Sequence, residues 1–363
     1  MLSADFDLAV IGGGPAGSAA AITAAQAGAR VVLLESRQFP RHKVCGEFVS
    51  AEALALLRDL LSDATTIHFL LATAPMLNRT RLWLGTRMLE SPISPPALSI
   101  PRFQLDAGLW QSAQAAGVNC RDNCEVSAVT GNGPFELRTA NETIMARALI
   151  IAAGRWSQFV ADRALPPGPK WIGLKAHFRE ERPSLTTDLY FFDDGYCGAQ
   201  PVSHDTVNVC AMVRSDRASS LPDVFRLHPA LRDRAANWTA ITTPVSTAPL
   251  VYRTPEPVRA NIVYAGDAAA FIDPFVGDGI SIALRSGKAA AECLSGFLAA
   301  QRSLEDSVAL YQREYARQFM PLLAAAARVR GLLSLEGLAQ RAAFELLRFP
   351  GLLPFIIRRT RRA

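Results

Sequence analysis

The strongest constraint on the fold is a glycine-rich turn close to the beginning of the chain. The apolar run Phe6–Ile11 leads into Gly12, Gly14 and Gly17, which have GxGxxG spacing, and an alanine-rich stretch follows. A second apolar run occupies residues 31–34. A strand, a glycine turn, a helix and another strand within about 30 residues predict a βαβ unit.

Each part of this unit suits a ligand that contains a diphosphate. Gly12 permits a tight turn, Gly14 lets a diphosphate approach the backbone, and Gly17 lets the helix pack closely on the strand. The helix that follows offers unpaired N–H groups at its N-terminus. Glu35 ends the second strand, where a carboxylate can accept hydrogen bonds from a ribose diol. The unit therefore predicts a dinucleotide site, although GxGxxG alone also fits an ordinary strand-to-helix turn.

A second glycine-containing turn follows the short apolar run at 261–265. Asp267 comes directly after this predicted strand, at the position where open α/β sheets bind ligands. Gly277 and Gly279 then precede a helix, whose N-terminal N–H groups can stabilise negative charge. By itself this pattern fits a capped turn equally well. Together the two turns predict one ligand that is held at both ends.

The length and the patterning predict an α/β protein of two intergrown domains. At 363 residues the chain exceeds one simple core. We predict a doubly wound Rossmann-like domain, interrupted by an α+β substrate domain with a mainly antiparallel sheet, and C-terminal helices. The predicted boundaries are 1–75, 100–165 and 256–300 for the cofactor domain, 76–99 and 166–255 for the substrate domain, and 301–363 for the helical region. The prolines between 75 and 101 predict irregular structure there, with one short strand at 81–84.

Charge, cysteines and histidines narrow the function classes. The net charge of +5 is spread out without a basic stripe, which argues against a nucleic-acid partner. The six cysteines contain no CxxC pair and the five histidines have no ligand spacing, so we expect neither a metal site nor a catalytic histidine. Without a basic leader or an apolar run of about 18 residues, the expected location is cytoplasmic.

Five segments together resemble the geranylgeranyl reductase family, within the FAD-dependent superfamily of para-hydroxybenzoate hydroxylase type. They cover residues 6 to about 295 and are highly specific for FAD and the fold. These segments are GGGPAG, FPRHKVCGE at 39–47, Arg102 with Asp106, Ala152-Ala153-Gly154, and GDAAAFIDPFVGDGI at 266–280.

The resemblance implies a bound FAD. It places Arg102 at the diphosphate or ribityl region, the backbone of Val126 at the adenine side, and Cys45 and Gly46 near the flavin. The complete set that it implies for FAD is Gly12, Gly14, Pro15, Ala16, Gly17, Glu35, Ser36, Arg37, Cys45, Gly46, Arg102, Val126, Ala153, Gly154, Asp267, Pro274, Gly277, Gly279 and Ile280.

One departure from the family bears on the reaction. Prenyl reductases of the family have a GYxWxFP stretch in the substrate tunnel, and this chain has GYCGAQP at 195–201. The implied substrate pocket contains Tyr196, Gly198, Gln200 and Pro201, with glycine in place of tryptophan and glutamine in place of phenylalanine. The exchange favours a monooxygenase that hydroxylates or epoxidises a lipophilic or aromatic small molecule through a flavin hydroperoxide. Reduction of C=C bonds in an isoprenoid or other lipid, halogenation, and a non-catalytic flavoprotein partner remain alternatives.

The electron source and the C-terminal tail complete the predictions. Because the chain has a single GxGxxG, electrons would come from NAD(P)H that visits the flavin transiently, or from a separate reductase or other external donor. The apolar stretch at 344–357 precedes four arginines between 358 and 362. Such a tail fits either peripheral contact with an anionic membrane or a docked helix with a basic end.

Overall fold

A computed structural model gives the architecture. It describes residues 4–61, 64–155, 158–160, 168–247, 249–271, 277–333, 342, 344–349 and 351–353. The strands are β1 Phe6–Ile11, β2 Val31–Leu34, β3 Phe48–Val49, β4 Met76–Leu84, β5 Arg87–Ser99, β6 Asn119–Arg121, β7 Val126–Gly131, β8 Phe135–Thr139, β9 Thr143–Ile151, β10 Trp171–Arg179, β11 Thr186–Phe192, β12 Gly195–Pro201, β13 Thr206–Arg214, β14 Thr239–Ala240, β15 Val245–Thr247, β16 Val258–Arg259 and β17 Ile262–Tyr264.

Helices connect and cover the strands. The α-helices are α1 Pro15–Gln26, α2 Ala51–Leu60, α3 Ala64–Thr73, α4 Arg102–Ala115, α5 Leu221–Arg226, α6 Pro229–Ala235, α7 Gly279–Leu298, α8 Leu304–Gln318 and α9 Met320–Leu333. A short 3₁₀ turn occupies Gly266–Ala268.

The first sheet has β1 near its centre. Its main path runs β16-β17-β9-β1-β2-β6, and β8 adds the β7–β8 hairpin at the beginning of β9. The pairs β1–β2, β1–β9, β2–β6 and β9–β17 are all parallel. The carboxyl ends of β1, β2, β9 and β17 therefore meet at one edge, which is where sheets of this kind bind ligands.

The second sheet is mainly antiparallel. Its path runs β14-β10-β13-β12-β11-β4-β5-β3, β15 pairs with β10, and only β11 and β4 run parallel. The prediction of a Rossmann-like α/β domain combined with a mainly antiparallel second sheet is confirmed. The two-residue strand β3 belongs to this sheet, although it lies within the first predicted cofactor segment.

The prediction of irregular structure between 75 and 101 is wrong. Residues 76–84 and 87–99 form the long hairpin β4–β5. Pro95 and Pro96 are tolerated because they fall in a register irregularity, where residues 93–96 of β5 lie opposite Asn78 alone and the ladder of hydrogen bonds is interrupted. Pro92 pairs with Arg79 at the margin of this irregularity, and β3 pairs with β5 only at Leu98 and Ser99. Proline lacks a backbone donor, and such positions need none.

Two helices pack on the first sheet at backbone contact distance. A Cβ atom on Gly17 would lie 1.8 Å from the carbonyl oxygen of Gly12, and one on Gly287 would lie 2.0 Å from that of Ala16. Only glycine permits such contacts without moving the backbone. They bring α1 and α7 together over the edge where the parallel strands end.

The described part of the C-terminal tail lies against the second sheet. Phe344 and Leu353 join a buried apolar cluster of that sheet, whereas Leu346 and Phe349 are 56% and 64% exposed. Within the residues that the structure describes, no helix is long and apolar enough to cross a membrane. The arginines between 358 and 362 lie outside the described residues, and peripheral membrane contact stays a prediction.

The glycine contact between α1 and α7 predicts opposite effects of two alanine substitutions in α7. Gly287→Ala forces a Cβ onto the Ala16 carbonyl oxygen and should lower the free energy of unfolding by about 1–3 kcal/mol. Gly296→Ala is the control, because its Cβ would meet only the flexible Arg302 side chain at 3.3 Å. It should leave stability unchanged or raise it by up to about 1 kcal/mol. Urea unfolding of both variants checks this, and equal effects would contradict the packing argument.

Candidate functional site

The first turn joins β1 to α1 and leaves space above the helix start. Gly12 has φ +105°, and a Cβ there would lie 2.6 Å from the Ala152 carbonyl oxygen. No side chain caps the helix at Gly14, where a Cβ would meet only Arg102 Nη2, at 4.0 Å. The N-terminus of α1 therefore faces an open cradle with a guanidinium group at its edge. A helix N-terminus beside a cation is suited to an anion.

Glu35 is fixed at the end of β2. Its Oε2 accepts hydrogen bonds from the Gly13 N–H and from Arg41, both at 3.0 Å. Its Oε1 accepts from the Arg37 N–H at 3.0 Å and from the Ser36 hydroxyl at 3.3 Å. The carboxylate is thus held beside the first turn by four hydrogen bonds.

Arg102, the first residue of α4, is held in place from both ends. Its guanidinium donates to Asp106 at 2.7 and 2.6 Å, and Asp106 is completely buried. Its backbone N–H donates to Oε1 of Glu47 at 2.9 Å. A bidentate pair with a buried carboxylate fixes the guanidinium plane, and a plane fixed in this way suits phosphate recognition.

The second turn lies directly against the first. A Cβ on Gly266 would be 2.9 Å from the Cβ of Ala16, and the Gly266 N–H donates to the Ser286 hydroxyl at 2.9 Å. Asp267 follows, and its carboxylate lies 3.7 Å from the guanidinium of Arg155, which stacks 4.3 Å over the Phe271 ring. The two turns that the sequence pairs are therefore adjacent in space.

The other residues predicted at the cofactor take their places around these turns. A Cβ on Gly12 would lie 2.6 Å from the Cα of Ala153, whereas Gly154 has φ +75° and open space around it. The carbonyl oxygen of Val126 accepts a hydrogen bond from Gln158 at 2.8 Å. Pro274 lies outside the described residues.

The start of α7 is linked to the beginning of α2. Gly279 and Ile280 begin α7, and the Phe48 ring lies beneath Gly277, 3.1 Å from where a Cβ would stand. The Ser50 hydroxyl donates to the buried carboxylate of Asp278 at 3.1 Å. The chain immediately after Gly46 thus fixes the helix start that the sequence assigns to the ring end of a flavin.

The predicted pocket residues of β12 divide between the two faces of the second sheet. Side chains alternate along a strand, so Tyr196, Gly198 and Gln200 share one face and Pro201 lies on the other. Gln200 is buried and its amide is used within the sheet. It donates to Ser99 at 2.7 Å and accepts from Thr187 at 3.2 Å. The structure therefore separates Pro201 from the other three.

The part of this face around Tyr196 is apolar. Tyr196 belongs to a buried cluster with Leu82, Phe191, Met212, Leu250, Phe344 and Leu353. Gly198 lies beside Leu189, whose Cδ2 would be 3.4 Å from a Cβ there. This face meets the loop at Cys45, because the Asn208 amide on the same face donates to the Cys45 carbonyl oxygen at 3.0 Å.

A buried charged cluster joins the two sheets, and we call Glu47, Lys175 and His177 the Glu47 cluster. Lys175 Nζ lies 2.6 Å from Oε1 of Glu47, and His177 Nε2 lies 2.8 Å from Oε2. The exposed fractions of the three side chains are 0%, 1% and 8%. Burial alone would raise the pKa of Glu47, but the His177 hydrogen bond and the Lys175 charge outweigh it and hold the pKa below the ordinary 4.5.

Sequence reasoning missed the role of this cluster. Glu47 lies in a segment that carries the family resemblance, but no role was predicted for it, and the histidines were set aside. Glu47 and Lys175 are 128 residues apart, so no local spacing links them. The available signal was Lys175 and His177, two residues apart in the otherwise apolar run WIGLKAHF. A polar pair with period two in a buried strand indicates a shared buried partner.

The fold and the site define a dinucleotide-binding α/β protein. The open cradle above Gly14, its flanking Arg102 and the carboxyl group of Glu35 fit the diphosphate and ribose of a dinucleotide. Two family models, both described as FAD dependent oxidoreductase, match residues 7–41 and 97–293. The chain belongs to the FAD-dependent oxidoreductase family, and its cofactor is FAD.

Individual relatives are consistent with this family. The chain is 28% identical to a menaquinone reductase of Mycolicibacterium smegmatis, over 86% of this chain and 82% of that protein. It is 26% identical to digeranylgeranylglycerophospholipid reductase 1 of Methanococcoides burtonii, over 86% and 80%. It is 24% identical to conditioned medium factor receptor 1 of Dictyostelium discoideum, over 80% of this chain but only 63% of that longer protein.

A solved structure supports the fold. The flavin-dependent brominase Bmp2 superposes with a TM-score of 0.80 at 22% identity, over 98% of this chain and 93% of that one. At this identity the likeness establishes the fold alone. The predicted resemblance to the geranylgeranyl reductase family, the FAD cofactor and the oxidoreductase class are confirmed.

The Glu47 cluster predicts a pH-dependent effect of Glu47→Gln. At pH 7 this variant leaves Lys175 buried without its carboxylate and should lose about 3–5 kcal/mol of stability. Because the folded pKa of Glu47 is lowered, the carboxylate's contribution is complete above the ordinary 4.5 and is lost as pH falls through the folded pKa. The difference from the unmodified protein, measured by urea unfolding, should therefore narrow as the pH falls below 4.5. A difference that is constant with pH would contradict the lowered pKa.

Proposed function

We propose that this oxidoreductase reduces a carbon–carbon double bond in a lipophilic small molecule. The observation that carries the proposal is the direction of the Gln200 amide. Its nitrogen donates to Ser99 and its oxygen accepts from Thr187, both within the sheet. The glutamine that replaces phenylalanine therefore has both its amide nitrogen and its amide oxygen engaged by other strands of the sheet. The part of the face around Tyr196 is apolar, as a lipophilic substrate requires.

The names of the relatives support the same reaction class. Menaquinone reductase and digeranylgeranylglycerophospholipid reductase are both names of reductases that act on lipid-soluble molecules. The chain covers 80% or more of the length of each. Reduction was an alternative in the sequence reasoning. Reduction becomes the leading proposal because the argument against it rested on the exchanges at Gly198 and Gln200, and the Gln200 amide is engaged within the sheet.

We further propose how the described residues hold FAD. Glu35 accepts hydrogen bonds from the ribose, and the α1 N-terminus at Gly14 binds the diphosphate together with Arg102. Asp267 accepts hydrogen bonds from the ribityl hydroxyls. The N–H groups at the start of α7 face the ring end, where they stabilise negative charge. Cys45 and Gly46 lie between this end and the substrate face.

The protein's own part in the reaction is to orient the substrate and to exclude water. Bound FAD supplies the two electrons of the reduction. The apolar cluster around Tyr196 positions a lipophilic chain, and the described tail residues Phe344 and Leu353 close its side. Whether NAD(P)H or a separate reductase delivers electrons stays a prediction.

Hydroxylation or epoxidation, and halogenation, stay as the competing predictions. The aromatic exchange at Gly198 still distinguishes this chain from prenyl reductases. A glycine there leaves room that a tryptophan would fill, and this room accommodates a bulkier or cyclic substrate. Its nearest neighbours are the Leu189 side chain and the Cys210 carbonyl oxygen, at 3.4 and 3.6 Å from a Cβ.

The placement of the diphosphate predicts that two glycines of the first turn act differently. Gly14→Ala should change the stability of the FAD-free protein by about 1 kcal/mol or less, because its Cβ meets only Arg102 at 4.0 Å. It should weaken FAD binding about tenfold or more by filling the cradle. Gly17→Ala should lose about 3 kcal/mol or more of stability, because its Cβ would lie 1.8 Å from the Gly12 oxygen. Flavin-fluorescence titration and urea unfolding check both. Unchanged FAD affinity in Gly14→Ala would refute the placement.

The reaction class is tested by single turnover with and without oxygen. The chemically reduced holoprotein is mixed anaerobically with a geranylgeranylated lipid, which has isolated C=C bonds and no quinone ring, and the flavin absorbance is followed. We expect substrate-dependent reoxidation without oxygen, and a product two mass units heavier than the substrate.

Two results would contradict reduction. Reoxidation that requires oxygen, with a product heavier by one oxygen atom, would establish monooxygenation instead. A brominated or chlorinated product, formed only with oxygen and halide, would establish halogenation. Flavin that stays reduced after both substrate and oxygen are added would argue against turnover of these substrates.

A further inference from the structure

Residues 45–50, which we call the connector segment, contact four separate parts of the molecule. The Cys45 carbonyl oxygen accepts from Asn208 on β13, and the Glu47 side chain meets Lys175 and His177 on β10. The same side chain accepts from the backbone of Arg102 at the start of α4. Phe48 and Ser50 contact the residues just before α7. The connector segment therefore links both cofactor turns to the substrate sheet.

We propose that Glu47 is a positioning residue for FAD, through which Lys175 and His177 on the substrate sheet set the affinity for a cofactor bound at the other sheet. The proposal rests on the placement of the diphosphate at Gly14 and Arg102. It goes beyond that placement because it assigns a role in FAD binding to two residues of the second sheet.

The first argument is that one carboxylate oxygen of Glu47 contacts both the substrate sheet and the start of α4. Oε1 of Glu47 lies 2.6 Å from Lys175 Nζ and accepts from the Arg102 N–H at 2.9 Å. The residue before Arg102 is Pro101, and no side chain of the helix cap itself satisfies this helix start. The Glu47 carboxylate thus acts as the cap of α4 from a distant part of the sequence.

The second argument is the backbone of Glu47 itself. Its φ is +60°, in the left-handed region that a residue with a Cβ rarely adopts. Its N–H lies 3.3 Å from the Cys45 sulfur, and its carbonyl oxygen accepts from the Ile100 N–H at 3.0 Å. Such a conformation persists only when surrounding contacts fix it. The Glu47 cluster is the largest group of such contacts on the side chain.

The third argument is electrostatic. A completely buried carboxylate stays ionised only while cations and donors compensate it. Without Lys175 or His177, Glu47 must take up a proton or turn towards water. Either change weakens its hydrogen bond to Arg102 and releases the connector segment, so the cradle is less well ordered before FAD binds. By linkage, a substrate that disturbs Lys175 or His177 changes FAD affinity, and FAD changes substrate affinity by the same factor.

The test measures FAD affinity of the full chain after removal of the flavin, by quenching of FAD fluorescence. Lys175→Met removes the cation and His177→Leu removes the donor, and neither residue contacts the Gly14 cradle. We expect the dissociation constant to rise about tenfold or more in Lys175→Met and about fivefold in His177→Leu. The visible circular dichroism of the bound flavin should change in both variants.

The matched control is Asp188→Asn. Asp188 is also a buried charge of the second sheet, paired with Arg234 at 2.6 Å, but it lies on the opposite face. It should destabilise the protein and leave FAD affinity within about twofold. If Lys175→Met does not fold, His177→Leu provides the test, because this variant retains the Glu47–Lys175 ion pair.

Three outcomes overturn the proposal, and they are distinguishable. If the cluster variants bind FAD within about twofold of the unmodified protein while Gly14→Ala binds it weakly, the diphosphate placement stands and the role of Glu47 is only structural. If Gly14→Ala is also unaffected, the placement itself is wrong. An equal loss of FAD affinity in Asp188→Asn would show that general destabilisation, and not the cluster, lowers the affinity.

Discussion

The site depends on backbone contacts that only glycine permits. Gly12, Gly17, Gly266 and Gly287 each place backbone or Cβ atoms within 3 Å of where their own Cβ would stand. These contacts bring two turns, about 250 residues apart in the sequence, to one edge of the first sheet. The ends of four parallel strands meet at this edge, and two helices begin beside it. One elongated ligand can therefore be held at both of its ends.

Buried charge connects this edge to the second sheet. At this junction Glu47 compensates Lys175 and His177, and all three side chains are buried. Ionic groups in a buried place add little net stability when compared with apolar residues. A displacement that separates them is costly in free energy, because it leaves a buried charge uncompensated. The cluster therefore fixes the relative position of the cofactor cradle and the substrate face more sharply than it stabilises the fold.

On one face of the second sheet, polar and apolar residues occupy separate rows that run across the strands. On the face towards the connector segment, the row of His177, Asn208 and Gln200 is polar, and each of the three side chains makes at least one hydrogen bond within the protein. The row that contains Tyr196 and Met212 is apolar and continues into the tail. This face of the second sheet therefore combines a polar row with a buried apolar row.

The sequence determined the βαβ unit, both glycine turns, the antiparallel character of the second sheet and the FAD family. These features depend on local spacing, which can be read along the chain. The sequence did not reveal the β4–β5 hairpin, because whether a proline in a strand is tolerated depends on whether a neighbouring strand needs its donor. It also did not reveal the Glu47 cluster or the direction of the Gln200 amide. Only the tertiary structure decided these, because the compensation of a buried charge or amide depends on partners that are distant in sequence and become neighbours after folding.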